Sequence, residues 1–402
     1  MPVLIDDLDD IEALHSADRD GLLHSAALAG AQVRAVAEAQ SEGVLAALGD
    51  LRPRAVVIVT GGDLPTTGAA DLVVATCAAR IDVPVVVVPS LPGWIGPLDV
   101  VVVAGSDAGD PLLSNALTRA ARRRADVVVL APLEGPLREA AGIGRRGAVP
   151  VIDLSPRLNV DPRFGFTGLV AGLVAVLTAL TAVRLTPAPP ALHDVADLLD
   201  AEAAADHPGR ETFHNQAKML AARVAGHRGV WAGDTAAASA VARRACAAFF
   251  EIAGRPAAHA NEGRALAVFA DHGGPTTTGA AVDSIFYDPE FDGPPAADPM
   301  RLFLVSTAAR APLTRQRLGA RDVDLVTEDS GDDPARRPGG EPQGSFPSAP
   351  GALEALADTP ADLAGLLVVV VRVQSAAAYL ALAAAEPDRG GGFGETRSWG
   401  AR

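Results

Sequence analysis

Apolar positions in the first half of the chain come in short, nearly unbroken runs rather than alternating with polar ones. Such runs occupy Ala55–Val59, residues 83–88, Asp99–Ala104, residues 126–131 and residues 149–153. Each is rich in β-branched residues and bounded by turn formers, the signature of parallel strands covered on both faces. Between them lie helical or turn segments, clearest at 112–125, whose arginines form a solvated face. The alternation predicts an α/β fold, a doubly wound parallel sheet with right-handed crossovers.

The pattern breaks at 185–192, where Thr-Pro-Ala-Pro-Pro punctuates the chain, and then resumes. Helices are predicted at 215–225, 235–252, 312–320 and within 360–385, and strands at 229–232, 266–270, 300–306 and 323–326. Two flavodoxin-type units follow, residues 1–187 and 188–402, each a parallel sheet flanked by helices. Residues 328–351 are polar and rich in Pro and Gly, so a mobile insert is expected there, and a frayed tail after it. Residues 168–183 are strongly apolar, but the run is short and contains Thr178 and Thr181; it predicts a buried helix and no membrane span.

The 402 residues include 34 basic and 49 acidic side chains, a net charge of −15. That balance argues against nucleic acid or an anionic membrane as partner, so an anionic ligand must be held locally. Two distant cysteines, Cys77 and Cys246, exclude a disulfide scaffold and a cysteine-based zinc site, and fit a reducing cytoplasm. His193, His207, His214, His227 and His272 have no metal-ligand spacing, so no metal is expected.

Ligands of open parallel sheets bind beyond the carboxyl ends of the strands. Two loops there hold small and hydroxylated residues: Thr60-Gly61-Gly62-Asp63, and Gly105-Ser106-Asp107-Ala108-Gly109-Asp110-Pro111. The second admits two readings, a phosphate cradle on a helix N-terminus or an ordinary turn capped by Asp110. Asp107 and Asp110 weigh against the cradle because they repel an anion. Neither loop is a GxGxxG or a P-loop, and the chain's single lysine, Lys218, lies in neither. A nucleotide cofactor is therefore not expected, and no Gly-x-Ser-x-Gly element supports serine hydrolysis.

On these residues the sequence resembles the double sugar-isomerase (SIS) domain proteins, specifically the bifunctional phosphoglucose/phosphomannose isomerases and their actinobacterial TobH-like branch. The family's phosphate loop, SYSGNTEET, corresponds to residues 106–114, where Ser106, Gly109 and Ser114 match and Ala108 and Pro111 replace hydroxyls. Gly61 and Gly62 match its earlier glycine-rich loop. Asp161-Pro162-Arg163 matches the segment whose arginine steadies the enediol intermediate. Asn215-Gln216-Ala217-Lys218-Met219-Leu220-Ala221, the strand Gly229-Val230-Trp231-Ala232-Gly233 and the helix ending at Glu251 match the stretch that leads to the catalytic glutamate.

The resemblance thus implies Glu251 as base and Arg163 as charge stabiliser. Each also has a plainer reading, Arg163 as a surface cap and Glu251 as a solvent-facing helix end. In His259-Ala260-Asn261-Glu262 the family's ring-opening histidine is one residue early, and no lysine follows the last helix, where only Arg389 stands near. The expected ligand is a sugar phosphate, bound without cofactor by a cytoplasmic homodimer. Three readings stay open: a binding protein with an eroded catalytic set, an active aldose–ketose isomerase, and a non-catalytic scaffold.

Overall fold

The computed structural model describes residues 8–142, 150–272, 299–329 and 357–384. The expected insert beyond Asp329, the tail and Arg389 lie outside the described residues. The first whole helices among the described residues are α1 (Ile11–Ala17), α2 (Leu22–Ala27) and α3 (Ala29–Ser41). The first sheet then forms from β1 (Ala55–Val59), β2 (Val85–Val88), β3 (Asp99–Ala104), β4 (Asp126–Leu130) and β5 (Ile152–Asp153). All neighbours are parallel, in the order β2-β1-β3-β4-β5. The connecting helices are α4 (Leu64–Cys77), α5 (Pro111–Arg122) and α6 (Gly135–Ala141), and α7 (Phe166–Ala179) closes this half.

The second half opens with α8 (Leu192–Ala205) and α9 (Gln216–Val224). Its strands are β6 (Arg228–Gly233), β7 (Ala258–His259), β8 (Met300–Val305) and β9 (Asp324–Val326), also parallel, in the order β7-β6-β8-β9. The helices between and after them are α10 (Ala236–Ala253), α11 (Glu262–His272), α12 (Ala311–Leu318) and α13 (Asp362–Ala383). The α/β class and the parallel sheets are as the apolar runs predict. One element is corrected: residues 266–270 form no strand but lie within α11, whose Ala265 is buried against the outer face of the second sheet.

The unbroken valine runs make sense once both faces of each strand are followed. In β1, Val56 and Ile58 belong to a central core while Ala55, Val57 and Val59 face the opposite way, against α5 and α6. In β8, Phe303 and Val305 join the same central core, and Leu302 and Leu304 turn outward toward α11. A middle layer of helices therefore separates the sheets, and the largest core belongs to both halves. Trp231 anchors its second-half side, stacked on Phe303 at 4.7 Å and beside Phe249 at 5.6 Å between ring centroids. The α7 helix is buried, as its composition predicts. Helix α13 is long and apolar enough to cross a membrane, yet 89% of its most apolar window is buried here.

Candidate binding cleft

The first sheet brings the two glycine-containing loops side by side, because β1 and β3 are neighbours. After β1 the chain turns through Gly61 (φ +63°) and Gly62 (φ +92°), conformations that suit glycine. Gly61 is further constrained: a Cβ there would sit 2.0 Å from Asp110 Oδ2. Asp63 then caps α4, accepting the Thr66 amide at 3.3 Å and the Thr66 hydroxyl as well. The Ser106 hydroxyl, from the second loop, also donates to Asp63 Oδ2, at 3.3 Å.

The second loop is organised in the same way. Asp107 accepts the Gly109 amide at 2.7 Å, and Asp110 caps α5 through the Leu112 amide at 2.7 Å. The cap that the turn reading expects of Asp110 is thus formed. The Ser114 hydroxyl is buried inside α5 with no partner. At each helix N-terminus the local positive field is thus already met by the chain's own carboxylate.

Beside these loops lies a cleft of about 570 Å³. Its floor is Gly105, Ser106 and Leu130, at the carboxyl ends of β3 and β4. One wall is the inner face of α3, with Gln32, Ala35, Val36 and Ala39. The other is the segment after β5, with Ser155, Arg157, Leu158 and Asn159. Glu42, just past α3, reaches the opposite wall and takes Arg157 in a two-pronged pair, at 2.9 and 2.6 Å. Gln32 donates to the Phe164 carbonyl at 3.1 Å, fixing the turn that carries Arg163.

Arg163 stands behind this cleft rather than in its lining, between Pro162 and Gly165, which do line it. Its guanidinium is engaged by Asp161 at 2.6 Å, and that hydrogen bond pulls the Asp161 carboxyl below its ordinary range. Glu251, from the end of α10, is close enough to exert its charge on Arg163, but is not among the cleft residues. A buried arginine joins the two. Arg244 donates to Glu251 Oε2 at 2.9 Å and to the Arg163 carbonyl at 2.5 Å, and Gln374 of α13 meets the same carbonyl at 3.2 Å. Sequence reasoning did not single out Arg244; its seven-residue spacing from Glu251 on one helix face was the available signal.

His259 is not part of this group. On edge strand β7, it contacts Ser239 near the start of α10 at 3.0 Å. Glu251 lies twelve residues further on, roughly 18 Å along the helix axis at the ordinary rise. Partial burial, then the nearby Arg243, lowers the His259 pKa, which favours the neutral ring. Lys218 is fully buried and donates to the carbonyls of Pro208 and Arg210 at 2.8 and 2.7 Å, a structural strut. Cys77 and Cys246 are free, and burial pushes the Cys246 thiol up to about 12, out of the reactive range. Among the described residues no group of three His, Cys, Asp or Glu could hold a metal ion.

No family model matches the sequence, and no curated protein matches it. Solved structures do match its fold. The chain is similar to tagatose-6-phosphate ketose/aldose isomerase from Escherichia coli, at 13% identity and a TM-score of 0.52, over 90% of this chain and 91% of that one. It is also similar to the C-terminal domain of glucosamine-fructose-6-phosphate aminotransferase from Francisella tularensis, at 10% identity and a TM-score of 0.51, over 90% of this chain and 96% of that one. The arrangement of two consecutive parallel α/β units is therefore the one these phosphosugar proteins share.

Proposed function

We propose that this chain is a double SIS-domain protein, built of units 1–187 and 188–402, that binds a sugar phosphate and isomerises it weakly or not at all. The observation that carries the reading is the cleft at the carboxyl edge of β3, β4 and β5. That is where open parallel sheets take their ligands, and its volume of about 570 Å³ suits a small molecule. Aldose–ketose isomerisation needs a base, an acid for ring opening and a positive group facing the enediolate. Here Glu251 is held by Arg244, His259 lies at the other end of α10, and Arg163 is engaged by Asp161. Each misplaced general acid or base costs on the order of 10²–10⁴-fold in rate.

Of the finer possibilities, the phosphoglucose/phosphomannose branch is favoured by the sequence resemblance, and a cytoplasmic homodimer goes with it. The test is a thermal-shift panel of glucose 6-phosphate, mannose 6-phosphate and fructose 6-phosphate at millimolar concentration, followed by a coupled isomerase assay. The expected outcome is a raised melting temperature with at least one of them, and turnover far below one per second. Any residual turnover should vanish in Glu251→Gln. Turnover of tens per second would replace this reading with an active isomerase. No shift with any phosphosugar would leave the scaffold reading.

A further inference from the structure

Beside the cleft, the two helix N-termini whose amides could meet a phosphate are each occupied from within. Asp63 collects the Ser106 hydroxyl together with the Thr66 amide and hydroxyl, and Asp110 collects the Leu112 amide while pressing against Gly61. A phosphate entering there would have to break these bonds and sit against two carboxylates. The hydroxyl of Ser114, the remaining one of this loop, is buried within the helix. These two N-termini are therefore closed to an anion.

A cation is present on the opposite wall. Arg157 is the one arginine or lysine among the residues lining the cleft. Its partner Glu42 lies just past α3, the helix that forms the facing wall. The two side chains are 40% and 56% exposed, and a pair this open contributes little and exchanges readily. The guanidinium fork already holds two carboxylate oxygens side by side, the geometry in which it also takes a phosphate. Asn159 stands two residues further along the same wall.

We propose that Arg157, released from Glu42, holds the phosphate of the bound sugar, while Ser106 on the floor meets a sugar hydroxyl. This rests on the sugar-phosphate reading above and reverses the ligand relative to a phosphate seated on residues 106–114. Glu42 is then a built-in competitor that sets how tightly the phosphate is taken.

The experiment is calorimetric titration of whichever phosphosugar gives the largest thermal shift, and of its unphosphorylated sugar, into the wild type, Arg157→Gln, Glu42→Gln and Ser106→Ala. Both Arg157 and Glu42 are exposed, so circular dichroism should report unchanged folding. Arg157→Gln is expected to weaken phosphosugar binding roughly tenfold or more, the loss of one charge-assisted contact. Glu42→Gln should tighten it several-fold, and Ser106→Ala should change it by less than about threefold. Loss of binding in Ser106→Ala with Arg157→Gln unaffected would overturn the inference and leave the sugar-phosphate reading standing. Equal affinity for the unphosphorylated sugar would overturn it as well, and a wild type that binds no phosphosugar overturns both.

Discussion

Asp206 has its acid–base chemistry displaced by its surroundings. It ends α8, accepts the Ala217 amide at 3.0 Å, and its carboxyl is pushed from 3.8 up to about 8 by burial first and by Glu202 second. Glu202 is meanwhile engaged by Arg372 of α13, at 2.6 Å. The folded chain therefore holds this proton at pH values where the unfolded chain has lost it. Its stabilising contribution is complete below about pH 4, shrinks as the pH rises, and is gone above about pH 8. Asp206→Asn keeps the shape and the acceptor without the charge. It should leave stability below about pH 4 nearly unchanged and raise it at pH 9 by at least about 1 kcal/mol, read from urea midpoints between those two conditions. A variant with the same pH profile as the wild type would contradict the assignment. Single residues differed in how legible they were. Ser106, Gly61 and Asp110 could be found because strand ends and helix caps have local patterns. Arg157 could not, because its role depends on Glu42, 115 positions away, and the spacing of Arg244 from Glu251 gave no hint of its bond to the Arg163 carbonyl, 81 positions away.

Elements with a two-sided environment were the most legible. The valine-rich strand β1 is apolar at every position, and β3 at every position after Asp99, because both faces pack. Residues 266–270 misled for a related reason: Leu-Ala-Val-Phe-Ala is apolar enough for a strand, but it continues a helix that starts at Glu262 and covers one sheet face. The two-residue strand β7 carries no pattern at all, since its pairing with β6 is set by the sheet and not by its own residues. Helix α13 was predicted from composition, but its central place was not. It touches α10, α9, α8, α2 and α1, and Tyr379 reaches the Asp206 carbonyl at 2.5 Å. Leu366→Ala, at a fully buried α13 position, should cost about 2–5 kcal/mol of stability by chemical denaturation. A loss under 1 kcal/mol would mean that α13 is loosely packed.

At the scale of the whole molecule, two sheets do not make two independent halves. The central core takes Val56 and Ile58 from the first sheet, Phe303 and Val305 from the second, and most of α13 between them. The seam is also laced by polar contacts: Arg34 with Asp197 at 2.8 Å, Arg243 with Asp71 at 2.9 Å, and Asp9 with the Thr212 amide at 2.8 Å. Units joined by a small polar interface move and unfold separately, whereas a large apolar seam couples them. Removing one half would expose the inner faces of α4 and α7 on the other, so neither half can lose its fold without unburying its neighbour's core. A chain of this length ordinarily unfolds in steps. This one should instead give a single calorimetric transition, with calorimetric and van't Hoff enthalpies in agreement, and a fragment of residues 1–187 should lack a cooperative transition altogether. Two transitions separated by more than about 10 °C would show that the shared layer couples the halves only weakly. The candidate site depends on that coupling. Arg244 and Gln374 from the second half hold the Arg163 carbonyl of the first, so loosening the seam would move the turn that borders the cleft.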